Sequence, residues 1–520
     1  MLETVPAGTI GDDDHALTDG HRLARGAAAN ALVLIAANFR GVFTFLIARL
    51  LGDVAFGRFG LVWATTDLLS KVGILGLDLG IVPAIATRAA AGDGDGARRL
   101  FRRGLAAATA ASLALALVSI PFINWLARVG GLDAFAGGSA IMLLALPGIA
   151  VARISTGASR ALLSMRSEFY SRGLVETWVQ TGVFVLAVAL SVGDRAPALA
   201  VVAGETSGGI VAYILAARAL NRLGRGRSPV EGGNPAATAS TRAMIRFSAP
   251  IAGSSLLNVL VLQLDVLLLG AYVGSVSGVT VASFGIFCAA AEVAGGMRKV
   301  RQVFDPIFTP VIATRRAAQG PASLRETVAG PGRWVLSAQL PLVGALFLSS
   351  GFVLSIYGPS FRQGALWLAI LGIAHGANSF AGLVETLIMI ERPGLNLLNA
   401  AVTIATQLVV GIVLIPRMGV TGAAVAMCAG FVVQGALRFA EVKHVFGWSW
   451  PWQSLRRPLA AFTIAFVPAL GVRLLLSGVH GALTAEVASG ALFLGLYIAM
   501  WRVLGAEPAD REIWRTLTNR

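Results

Sequence analysis

Between residues 27 and 504 the chain alternates short polar punctuation with apolar runs of roughly 20 to 28 residues, and at ~1.5 Å rise per residue a helix of that length crosses a ~30 Å hydrocarbon core. A membrane strand needs only about 9 to 11 residues, so these runs are helices and not barrel strands. They fall near 27–51, 59–87, 104–126, 139–160, 173–193, 197–218, 247–271, 279–304, 334–357, 364–390, 395–416, 419–440, 459–478 and 482–504. The predicted fold class is therefore an all-α integral membrane protein with 14 transmembrane helices. Composition agrees, with 56% hydrophobic and 13% charged residues and a mean hydropathy of +0.74, far from the usual soluble domain.

The net charge of +15 does not point to nucleic acid, because the basic residues sit in short loops and form no tract interleaved with aromatics. They instead report topology, since basic loops resist translocation. With the N-terminus in the cytoplasm, only Arg49, Arg58, Arg128, Arg195, Arg362, Arg417 and Arg473 of the 42 Lys and Arg residues fall on the outer side, and Arg40 and Lys71 lie inside spans. Both ends are then expected in the cytoplasm of a multi-pass bacterial inner-membrane protein. Residues 1–26 hold Asp12, Asp13 and Asp14 and read as a polar tail, not a signal peptide. Cys288 and Cys428 both lie in apolar runs, which supports neither a disulfide framework nor a thiolate metal site.

A weak internal echo divides the chain. Leu50-Leu51-Gly52 and Phe59-Gly60-Leu61-Val62-Trp63-Ala64 are repeated as Leu268-Leu269-Gly270 and Phe284-Gly285-Ile286-Phe287-Cys288-Ala289, and the second match carries Asp67 onto Glu292. Duplication of a six-span unit gives an N-terminal tail at 1–26, a six-helix bundle at 27–220, a Gly-, Pro- and Arg-rich linker at 221–246, a second bundle at 247–446, and two added helices with a tail at 447–520.

Ionisable groups near mid-bilayer cost at least ~2.5 to 3.5 kcal/mol on insertion scales, so each normally faces a wet cavity or a partner. Arg40 and Lys71 stand at one depth on adjacent spans, roughly 16 to 18 Å from the outer face. Asp67, Lys71 and Asp78 share one face of span 2, as do Ser254, Asn258 and Asp265 on span 7, while span 8 contributes Glu292 and Lys299. Two readings stay open: these charges line a cavity, or Lys71 and Arg40 merely pair with Asp67 and Asp78 to join helices. Arg298, Lys299 and Arg301 read as interfacial snorkelling residues. His375, Asn378, Ser379 and Glu385 read as interhelical hydrogen bonding, and Asp93-Gly-Asp95 as a turn rather than a metal-binding D-x-D.

Ile47-Ala-Arg-Leu-Leu-Gly-Asp-Val-Ala-Phe-Gly-Arg-Phe-Gly60, with Gly76-Leu-Asp-Leu-Gly-Ile81 and Ala86-Thr-Arg88, resembles the opening of bacterial polysaccharide-biosynthesis membrane proteins. These are the lipid-linked oligosaccharide flippases of the multidrug/oligosaccharidyl-lipid/polysaccharide exporter superfamily. Leu264-Asp-Val-Leu-Leu-Leu-Gly270, Tyr357-Gly-Pro-Ser-Phe361 and Gly419-Val-Thr-Gly-Ala-Ala424 extend the resemblance. It implies two six-helix bundles facing a central cavity, two extra C-terminal helices, and a polyprenyl-diphosphate-linked sugar chain as cargo. Arg40 and Lys71 match the basic cavity positions by span and depth, with Asn258 and Asp67 beside them. Asp67, Asp265 and Glu292 depart from a purely cationic cavity, and Asp265, Glu292 and Asp78 are candidates for H⁺ or Na⁺ coupling. No cofactor or resident metal is expected. Expected partners are the lipid-linked substrate, membrane lipids, a polysaccharide polymerase and glycosyltransferases, and no nucleic acid. Two rival functions remain, a cation-coupled multidrug exporter and a membrane glycosyltransferase or polymerase; for the latter no phosphate-cradling glycine loop or nucleophile elbow is present.

Overall fold

In a computed structural model, residues 40–129, 139–164, 166–223, 241–320, 323–479 and 481–505 are described. Among them every regular element is helical. They are α1 (Arg40–Ile74), α2 (Leu77–Ala90), α3 (Gly94–Val129), α4 (Leu146–Ala161), α5 (Thr177–Ala189), α6 (Ala196–Leu223), α7 (Thr241–Ala271), α8 (Val281–Gly295), α9 (Arg298–Gln319), α10 (Leu324–Leu348), α11 (Ser350–Ser355), α12 (Ala365–Glu391), α13 (Pro393–Met418), α14 (Val420–Phe446), α15 (Arg456–Val479) and α16 (Ala482–Met500). A π-helical stretch, Phe169–Glu176, leads into α5.

Eleven described segments are long and apolar enough to cross a membrane, against the fourteen runs read from sequence. Gly41–Ala90 is one 50-residue segment that takes in the second run and residues 41–51 of the first, whose residues 27–39 lie outside the described residues. Within α1 the φ of 82° and ψ of −174° at Gly52 are not helical, so two helices meet there in a kink, where the sequence ends its first run. The fifth run opens in the π-helical stretch and passes at Thr177 into the 13-residue α5 without leaving helical geometry. The ninth is divided at Ser349, between α10 and α11. Hydropathy cannot register that break, since it leaves the residues equally apolar.

In lipid the hydrophobic effect gives helices little reason to associate, so close approach and dispersion contacts do that work. Two places show it. Gly76 caps the start of α2 with φ 69°, and a Cβ there would stand 2.5 Å from the Ser248 carbonyl oxygen and 2.6 Å from the Ala252 nitrogen. Only glycine fits both the left-handed turn and the backbone of α7. Gly57 and Gly285 meet in the same way, since a Cβ on Gly57 would lie 2.6 Å from the Val281 carbonyl oxygen and 3.0 Å from Gly285 N. One turn on, Gly60 abuts the free, buried Cys288. α1 and α8 thus pack backbone to backbone where the internal echo places its second match.

Polar ties complete the packing. Asp93 accepts from the Gly96 N–H at 2.7 Å and Asp95 pairs with Arg98, so Asp93-Gly-Asp95 is the turn that starts α3. Glu385 of α12 is held by Arg301 of α9 at 3.0 Å and Arg438 of α14 at 2.8 Å, and Arg438 also donates to Asn378 at 3.2 Å. Arg301 therefore serves helix packing and not the interface. At the C-terminal end, Phe493 and Tyr497 of α16 pack with Ala461, Ala465 and Ala469 of α15 against Leu348 of α10. Glu486 of α16, 5% exposed, accepts from the Phe352 N–H and lies 3.8 Å from Arg362 and 3.9 Å from Arg473.

Candidate functional site

A cavity of about 1230 Å³ opens between residues that precede and follow the 224–240 segment. Its N-terminal wall takes Gly41, Thr44, Trp63 and Asp67 from α1, Arg153 from α4, the π-helical stretch with Arg172 and Glu176, Glu168 just before it, and Glu205 from α6. The C-terminal wall takes Asp265 from α7, Cys288 and Glu292 from α8, Arg298 and Lys299 from α9, Tyr357, and His375 from α12. The walls touch at Thr44, whose hydroxyl donates to Glu292 Oε1 at 2.7 Å. Asp67 and Glu292, matched by the internal echo, face the same space from opposite sides.

On the N-terminal side Lys71 and Arg172 are already engaged. Lys71 Nζ lies 3.7 Å from Asp67 Oδ1, one turn away on α1. Arg172 stands between carboxylates one helical step to either side, its Nη1 3.5 Å from Glu168 Oε1 and its Nε 3.8 Å from Glu176 Oε2. The C-terminal wall differs. Both oxygens of Asp265, 4% exposed, find no hydrogen-bond donor, and neither Arg298 Nη1 nor His375 Nδ1 has a partner. His375 rests edge-on against Phe431, with ring centroids 5.2 Å apart. Buried polar groups without protein partners cost free energy unless water, an ion or cargo reaches them.

The sequence-predicted residues divide accordingly. Asp67, Asp265 and Glu292 are brought onto the cavity walls. Lys71 is drawn back beside Asp67, off the lining. Asp78 and Asn258 lie away from it, Asn258 exposed on α7. Arg40 begins α1, next to Gly41 on the wall and one turn before Thr44, but its side chain lies outside the described residues. Arg298 and Lys299, read from sequence as interfacial, stand on the wall because the chain turns at Gly296 and Met297 before α9 starts. Arg153, Arg172, Glu176 and Glu205 are missing from the sequence-based set. The spacing Glu168–Arg172–Glu176 was the available signal, but hydropathy assigned the first two to a loop.

Fold and cavity together define an all-helical, multi-pass membrane protein with a charged cavity among its helices. The sequence pattern of the family described as "Polysaccharide biosynthesis protein" matches residues 23–304, more than half of the chain. The protein belongs to that family. Among solved structures the fold is similar to an inward-facing multidrug resistance MATE family transporter of the MOP superfamily (14% identity; 79% of this chain and 94% of that one; TM-score 0.63). It is also similar to the lipid II flippase MurJ in an inward closed conformation (11% identity, 92% and 99%, TM-score 0.61) and to the Vibrio cholerae MATE transporter VcmN (16% identity, 83% and 98%, TM-score 0.55). No curated protein sequence matches the chain.

Proposed function

We propose that the protein is a transporter, not an enzyme, and carries polyprenyl-diphosphate-linked oligosaccharide or polysaccharide repeat units across the bacterial cytoplasmic membrane by alternating access. Fourteen helices, arranged as two six-helix bundles around the cavity with two further helices at the C-terminus, would place both chain ends in the cytoplasm. The observation that carries the reading is the charged cavity of about 1230 Å³, built from both parts of the chain. It exceeds the ~300 to 1,000 Å³ of sites for drug-sized ligands and leaves room for a multi-sugar headgroup. Membership of the polysaccharide biosynthesis family and likeness in fold to a lipid II flippase support a lipid-linked cargo.

The diphosphate enters near Arg40 and is held by that guanidinium together with Arg298 and Lys299, with Lys71 in reserve beside Asp67. The lipid tail stays in the bilayer, where expelling it from hydrocarbon would be unfavourable. Asp265 and Glu292 serve cation coupling; Asp78 and Asn258, away from the wall, take no part in holding the cargo. Polymerase and glycosyltransferases supply and consume the cargo on the two sides. Flipping of a fluorescent polyprenyl-diphosphate oligosaccharide by reconstituted protein tests this: Arg40→Ala is expected to lose most activity and Arg40→Lys part of it. Full activity in the Ala variant removes Arg40 from the site.

The unpartnered Asp265 carboxylate, in a fold shared with MATE transporters, favours a second reading, a cation-coupled multidrug exporter. Dye efflux driven by a Na⁺ or H⁺ gradient, with no flipping of the lipid-linked probe, would select it.

A further inference from the structure

We propose that the N-terminal wall of the cavity is a glycan subsite, and that the sugar it receives is neutral or amino-bearing rather than acidic. This rests on the lipid-linked cargo reading above and specifies its glycan. Three carboxylates, Glu168, Glu176 and Glu205, converge there on two guanidiniums, Arg153 and Arg172. Glu176 and Glu205 are only 3% and 5% exposed. Glu176 Oε2 receives no hydrogen bond, Arg172 Nε standing 3.8 Å away, beyond bonding distance. A buried acceptor left unmet on the wall of a polar cavity is where a donor from cargo gains most, and a sugar hydroxyl or ammonium is such a donor.

The cluster cannot retreat to satisfy itself. α6 lies directly behind it: a Cβ on Gly204 would come within 2.9 Å of the Glu176 carbonyl oxygen, and one on Gly208 within 3.0 Å of the Glu176 Cβ. The π-helical turn of Phe169–Glu176 is what aims Arg172 and Glu176 into the space, and such turns recur at functional sites. Trp63 adds an aromatic face on the same wall, stacked at 16° on Phe59. Charge then sets the class of sugar. A carboxylate on the glycan would meet three carboxylates, two of them already sharing Arg172, whereas a polyol accepts and donates without adding charge. The anionic diphosphate is left to Arg40 at the start of α1 and to the opposite wall, where Arg298 Nη1 is unpartnered.

The test compares two synthetic polyprenyl-diphosphate disaccharides that differ only in the terminal residue, an N-acetylhexosamine or a hexuronate, binding to the full chain in nanodiscs. The neutral probe is expected to bind at least about tenfold more tightly, a lower bound because a like-charge contact inside a partly desolvated site costs more than that factor. E176Q and E205Q are each expected to narrow that ratio, and thermal melts of the variants in the same nanodiscs report whether they remain folded. Equal or tighter binding of the uronate by the unaltered chain overturns the glycan assignment while leaving the lipid-linked cargo intact. Failure of both probes to bind overturns the cargo reading together with it.

Discussion

At the scale of single residues, the membrane makes each charge answer for its position. Asp67 and Lys71 satisfy one another across 3.7 Å of one helix face. Asp67→Asn leaves an ammonium without its counter-charge and is expected to destabilise the protein by about 1 to 3 kcal/mol. Asp67→Asn with Lys71→Gln should recover most of that loss, and a double-mutant cycle on thermal melts in detergent measures the coupling. Additive effects would show that the two groups do not pair. Asp265 is the opposite case, buried with neither oxygen bonded. Asp265→Asn is expected to leave probe binding within about threefold while abolishing the dependence of transport on a cation gradient. Unchanged gradient dependence assigns coupling elsewhere. Sequence found Asp67, Asp265 and Glu292 because an acid inside an apolar run stands out in one dimension. It missed Arg172 and Glu176 because their shared direction depends on a π-helical turn, which leaves no mark in composition.

At the scale of elements, the long apolar runs were legible because length and hydropathy are local properties, and α6, α7 and α12 to α16 follow the predicted runs closely. What sequence blurred is a helix break such as that at Ser349, which is settled by the neighbour against which the helix packs. The added pair α15 and α16 depends on one such neighbour. Glu486 reaches the Phe352 N–H at the break between α10 and α11, and Ser349 donates back to the Glu486 carbonyl oxygen at 2.8 Å. Glu486→Ala removes the carboxylate between Arg362 and Arg473 and leaves the Phe352 N–H in the first turn of α11 unpaired. We expect faster amide hydrogen exchange across 349–355 and 482–490 and a loss of about 2 to 4 kcal/mol in stability, with the α1–α8 contact unaffected. Uniform exchange along the chain would show that the pair is held by its apolar contacts alone.

For the whole molecule, the decisive geometry is that the cavity walls meet where α1 and α8 are in backbone contact, through Gly57, Gly60, Gly285 and Cys288. Side chains there would hold the helices apart, and a Cβ on Gly285 would fall 1.9 Å from the Asp53 carbonyl oxygen. Gly285→Leu is therefore expected to force this end open and to lower stability by several kcal/mol at most, as overpacking does. The same closeness provides a lock. A Cβ at position 60 would lie 3.0 Å from the Cys288 Cβ, near the ~3.5 to 4.5 Å of a disulfide, so Gly60→Cys supplies a partner for the native thiol with only a small separation of the helices. If transport requires the walls to part here, oxidised Gly60→Cys protein stops flipping within one half-cycle and recovers on reduction, whereas Gly60→Cys with Cys288→Ser is insensitive to oxidant. Flipping that persists at the unmodified rate in the cross-linked protein would mean that this contact stays shut throughout the cycle, and that cargo leaves the cavity by a path elsewhere between the walls.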